Sequence, residues 1–313
     1  MTVMKQCFLT LAALVLLSGV ALAAPLGTNA RNVIPKNVQQ IISVDYRALR
    51  DSPSGMALKG RVMPDNLKEF EKAIKGMGVD PDKDMDQLVF VLFRQGSSLR
   101  SVGIAQGNFQ PKSFVARMRT KKVKPEMYDH NAIYPTGSGL LMTFLDPNTM
   151  VFGDLAAMKN ALDVYDSQAE GIGSNASMSG MIADVQDGPV WSVLDQDGTQ
   201  NMMKSSLGSA SSLADYDTIK KRLLGSEYTV DFSNGVRFNL TVLTSDTMTA
   251  ATLSSLIQAG MMYKRLNATP AEKVALDGMT VDSNSGKLLL NFKADDQKFQ
   301  ALLNTDLFST ISR

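Results

Sequence analysis

The sequence holds one cysteine, one histidine and one tryptophan in 313 residues. Each scarcity removes a class of chemistry. The lone cysteine, Cys7, precedes an apolar stretch at the N-terminus. The chain beyond it therefore has no thiol for disulfides, thiolate metal sites or nucleophilic attack. With His130 as the sole imidazole, a multi-histidine metal centre is excluded, and a Ser-His-Asp triad would have to recruit that residue alone. No excess of one charge exists either. Lys and Arg number 32 against 31 Asp and Glu, a net charge of +1, so no general attraction to nucleic acid or anionic lipid is expected. Beyond the N-terminus no long apolar run follows, and no further membrane span is expected.

What is present begins with an export signal. Lys5 gives a positive start, Phe8 to Leu17 is almost wholly apolar, and Ala21-Leu22-Ala23 places small side chains at alternate positions. That pattern predicts cleavage after Ala23, because the apolar run is too short for a span of about 20 residues. Cys7 leaves with the signal, and 290 of 313 residues remain. A chain of that size can bury an ordinary core without disulfides.

The remainder divides at Ser167 to Ser177 (SQAEGIGSNAS), a small, polar, glycine-containing stretch. The expected organisation is a signal peptide over 1–23, a first unit over 24–166, a linker over 167–177 and a second unit over 178–313. In the first unit, Gln40 to Leu49 alternates like a strand, and Leu67, Phe70, Ile74 and Met77 share one helical face. Leu88 to Phe93 (LVFVLF) reads as a buried strand with Ser101 to Gln106 as its partner. A helix is expected from Pro111, then a hairpin at Asp146-Pro147-Asn148, then a helix from Leu155 to Val164. The second unit follows the same order: strand Pro189 to Leu194, helix Leu213 to Leu224, a hairpin at Ser233-Asn234-Gly235, helix Met248 to Tyr263, a hairpin at Asn284-Ser285-Gly286, and a final helix Asp295 to Leu303. The expected class is α+β: two similar tandem units, each an antiparallel sheet with helices on one face. Their element order is ferredoxin-like, plus an extra hairpin strand and helix.

Few residues gather into constellations that carry chemistry. Asp80, Asp82, Asp84 and Asp86 alternate as in calcium loops, but Met85 stands where the turn glycine belongs and Val91 where the last glutamate belongs. They are weak metal candidates, better read as turn caps. Asp195 and Asp197 are a fragment of the same pattern. Arg117, Arg119, Lys121, Lys122 and Lys124 form a weak anion-contact candidate, better read as a solvated helix end, since no aromatic interleaves them to stack a base. His130 is expected in a solvated loop. Ser52 to Gly55 (SPSG) has proline where a nucleophile elbow cannot take it. The glycines at 96, 103 and 107 lack phosphate-loop spacing. The methionines fall mainly at helical core spacing, better read as flexible core filler than as a Met-lined groove. Asn175, Asn239 and Asn267 match glycosylation tripeptides, which matter only in a host that glycosylates.

No catalytic or cofactor-binding residue emerges. The leading expectation is an exported, periplasmic or secreted, non-enzymatic binding or assembly module, meeting another envelope protein or a small ligand in a cleft between the two units. Nucleic acid is not an expected partner. Two other readings stand beside it: a hydrolase built on carboxylates or serine without a histidine triad, and a carrier of apolar cargo.

Overall fold

In a computed structural model, residues 25–207 and 216–303 are described. The expected signal peptide, with Cys7, lies outside them, as does part of the helix expected over Leu213 to Leu224. Twelve strands form one sheet: β1 Val38–Asp45, β2 Met85–Gln95, β3 Ser98–Gly107, β4 Glu126–Tyr128, β5 Asn131–Pro135, β6 Leu141–Asp146, β7 Thr149–Gly153, β8 Val190–Leu194, β9 Leu223–Asp231, β10 Val236–Thr244, β11 Met279–Asn284 and β12 Lys287–Ala294. Their spatial order is β11-β12-β10-β9-β8-β1-β2-β3-β7-β6-β5-β4, and every described pairing is antiparallel.

The class is α+β, built from antiparallel sheet and helices. Three details differ from the sequence expectation. The halves do not carry separate sheets: β1 pairs with β8, Ile41 opposite Val193 and Val44 opposite Val190, and fuses them into one. The element order along the chain is ferredoxin-like, but a split βαβ unit has another strand between its two helix-linked strands, and here β1 lies directly beside β2 and antiparallel to it. Across the sheet, β1-β2-β3-β7-β6 in one half runs as β8-β9-β10-β12-β11 in the other.

Helices cover both faces of the first half, not one. The continuous run Leu88 to Phe93 explains this, since a strand apolar at every position has two faces to bury. Val89, Val91 and Phe93 point to one side and pack with Ile41, Ile104, Trp191 and the helices Leu155–Tyr165 and Ala176–Val185. Leu88 points to the other, toward Phe70 and Ile74 of the helix Asp65–Met77 and Phe114 and Met118 of the helix Pro111–Thr120. Residues 167–177 hold a 3-10 turn, Ile172–Ser174, with Ile172 buried, and Asn175 caps the Ala176–Val185 helix by accepting from the Met178 N–H at 3.1 Å.

Candidate functional site

The alternation of β1 sends Ile41 and Ser43 to the Trp191 side and Ile42 and Val44 to the opposite face. On that opposite face the register lines up Ile42 with Phe90 and Ser192, and Ser192 with Tyr228, while Val44 meets Val190 and Val190 meets Val230. All but the fully buried Ser192 are only half-buried. They form the floor of a cavity of about 600 Å³ at the centre of the sheet, where the two halves join.

Its roof is a helical hairpin. The helix Pro53–Val62 starts with Ser52 as N-cap, accepting from the Gly55 N–H at 3.1 Å, and Pro53 at its first position. Pro64 ends it, and Met63 before that proline is extended. The next helix, Asp65–Met77, presents Phe70, Ile74 and Met77 to the sheet and ends at Gly78, whose φ of 92° is the left-handed conformation glycine supplies. Phe70 stacks on Phe152 with ring centroids 4.4 Å apart, which seats this second helix firmly. The first helix is held differently, by buried Ser54 hydrogen-bonded to Asp296 and by Leu58 against the cluster of Leu49 and Phe232. Its sequence PSGMALKGRV contributes Leu58 and Val62 to the cavity wall, with glycines at 55 and 60, too little bulk to fill the space beneath. Gly103 deepens the floor: a Cβ there would lie 2.1 Å from the Phe152 ring, so the missing side chain is what lets that ring lie across β3.

At one end the lining residues Tyr46, Leu49 and Phe232 are buried. Here the Lys59 ammonium pairs with Glu71 at 2.9 Å and donates to the Tyr46 hydroxyl, tying both roof helices to the residue that follows β1. Burial pushes the Tyr46 phenol upward, partly offset by the Lys59 hydrogen bond. Lining residues that remain exposed, Val62, Pro64, Asn66 and Ser101, mark the rim. Among the described residues no carboxylate lines the cavity.

The candidates read from the sequence lie elsewhere. Asp80 caps the short helix Pro81–Asp84, and Asp84 accepts from the Asp80 N–H at 2.7 Å. Lys75 bridges Asp80 and Asp82 at 3.2 and 3.3 Å, and Asp86 pairs with Arg47. Among the described residues no group of three or more His, Cys, Asp or Glu could hold a metal ion. Asp195 and Asp197 clasp Arg94 at 2.9 and 2.8 Å. In the basic cluster, Lys121 donates to the Gly76 carbonyl at 2.9 Å and the Arg117 guanidinium packs against Gly78, so both serve the C-terminal end of the Asp65–Met77 helix. Arg119, Lys122 and Lys124 are exposed. His130 sits at the β4–β5 turn, 3.3 Å from Asp166 and 70% exposed. Lys59, Tyr46 and Glu71 escaped the sequence reading. The signal for them was Asp45, an N-cap accepting from the Ala48 N–H at 2.9 Å, and the Ser52-Pro53 helix start.

No family model matches the sequence, and no curated protein matches it. Similar solved structures exist. Crystal form III of TP0453 aligns with a TM-score of 0.51 at 10% identity, over 90% of this chain and 97% of that one. The likeness is one of fold. Crystal forms I and IV of TP0453 align at TM-scores of 0.46 and 0.45, with 9% and 10% identity. Among the described residues no helix is long and apolar enough to cross a membrane.

Proposed function

We propose that this protein is an exported, non-enzymatic carrier or sensor that holds apolar cargo in the cavity between its halves. The observation that carries the reading is the cavity itself: about 600 Å³, walled by Ile42, Val44, Phe90, Leu58, Val190 and Val230. That volume is within the usual ligand range of about 300–1,000 Å³. The lining favours binding over hydrolysis, because two carboxylates or an activated serine would have to face the bound molecule, and the lining offers only Ser101 at the rim. The N-terminal Phe8 to Ala23 pattern supports export. The shared strand order supports reading the halves as a duplicated unit, with the β4–β5 hairpin added to the first, and a cleft at such a junction is a common ligand site.

The test is titration with a dansyl-labelled fatty acid. The expected result is saturable binding of one probe per chain, weakened about tenfold or more in a V44F/V230F double variant that fills the floor. Absence of saturable binding, or binding that ignores the double variant, refutes the reading.

A further inference from the structure

We infer that the cargo is a single unbranched acyl chain, inserted tail first toward Tyr46 and Phe232 with its polar head at the Asn66–Ser101 rim. The inference rests on the binding role proposed above and adds the class and orientation of the ligand.

Volume sets the class. A methylene occupies about as much space as a water molecule's share of the liquid, roughly 30 Å³, so about 600 Å³ matches ~20 chain carbons. Two chains of membrane length need nearly twice that. A lone chain fits, and a two-chain lipid does not.

Charge sets the orientation. Among the described residues Lys59 is the one charged residue lining the cavity, and its ammonium is already committed to Glu71 and Tyr46. The Asp82 carboxylate lies 3.5 Å from the same Tyr46 hydroxyl. A carboxylate or phosphate head at this end would meet two anions, Glu71 and the half-exposed Asp82, and one spent cation. The rim offers the reverse: Asn66 and Ser101 are exposed, and a head placed there keeps its hydration. The deep end carries Leu49, Leu58 and Phe232, suited to a terminal methyl.

Competition against the dansyl probe, with fatty acids and fatty alcohols from about 8 to about 22 carbons, tests both points. Affinity should rise about fourfold per methylene and stop rising near the volume limit. A lysophospholipid should compete at least tenfold better than the diacyl lipid of the same chain. In the N66E variant, whose new charge lies in a first helical turn that tolerates acids, the acid-to-alcohol affinity ratio should fall about threefold. Equal competition by diacyl lipid, or affinity independent of length, overturns the single-chain assignment. An unchanged acid-to-alcohol ratio in N66E overturns the orientation. If neither chains nor lipids displace the probe, the binding role itself fails along with the inference.

Discussion

Glu227 is a carboxylate in the wrong medium. It lies on β9, cross-strand from Val193 and Thr241 and on the sheet face opposite Tyr228, so it faces away from the cavity. Only 7% of it is exposed, and its Oε2 has no hydrogen-bond partner among the described residues. Burial, reinforced by the Asp184 carboxylate and only partly offset by Lys287, raises its pKa above the ordinary 4.5. The sign follows from linkage. An acid with a raised native pKa is ionised first in the unfolded chain, so stability falls as pH climbs from about 4.5 through the native value. Glu227→Gln removes the charge and keeps the shape. An unsatisfied buried polar group costs about 1–3 kcal/mol. The amide retains some of that need, so the expected gain at pH 7 is about 1–2 kcal/mol, a rise in Tm of roughly 2–4 °C for a chain of this size. Urea melts at pH 7 and pH 4 check it: the gain should be present at the first and nearly absent at the second. A variant less stable at both pH values, or equally improved at both, refutes the account.

Further outcomes follow from other sites of the same fold. Asp246 caps the helix Thr247–Leu266, accepting from the Thr249 N–H at 2.8 Å, and with the Ser245 and Thr249 hydroxyls and Arg222 beside it its pKa is held down to about 2. Its stabilisation is complete above the unfolded value of 3.8 and is lost as pH falls toward 2, so Asp246→Ala should lower Tm at neutral pH and flatten the acid limb of a stability profile. Phe152→Ala should cost about 3–5 kcal/mol, because the ring is 3% exposed and is held between Phe70 and Phe90. Gly103→Ala should also destabilise, through contact with that ring. In the double variant the two losses should fall well short of additive, as chemical denaturation of all four proteins would show.

Local features of the fold were legible where chemistry within a few residues decides them. The loop between β11 and β12 is Ser285-Gly286 with φ of 49° and 79°, the double positive-φ turn a tight hairpin takes. The helix face Phe70, Ile74, Met77 is the one the spacing marked. What the sequence hid lies at longer range. The alternation through Gln40 to Leu49 conceals the helix start at Asp45, because the strand pattern runs on through residues that form the helix Tyr46–Arg50. The small, polar stretch at 167–177 read as a linker, yet its Ile172 is buried. The pairing of β1 with β8, more than 140 positions apart in the chain, depends on matching two apolar strands that many partners could satisfy. The cavity follows from that pairing and from the sparse bulk of the Pro53–Val62 helix, and an absence of contacts leaves no motif.

That absence has an energetic meaning. Dry voids made by core truncation cost about 24 cal/mol per Å³, and at about 600 Å³ the cost would be on the order of 14 kcal/mol, comparable to the roughly 5–15 kcal/mol that holds a domain together. A sealed void of this size is therefore not sustainable, and the exposed rim at Val62, Pro64 and Asn66 admits solvent. Water entering it finds few partners: the Tyr228 hydroxyl is engaged by Ser192, and Lys59 is paired. An ordered water needs two to four polar contacts, so the cavity is a poor home for water as well as a costly vacuum. The opposite face of the same strands, with Ile41, Val89, Val91 and Trp191 all fully or nearly fully buried, carries the packing that fixes the sheet. At the centre of the sheet the cavity face carries less of that packing, and an apolar chain entering it displaces badly bound water from a site that is already formed.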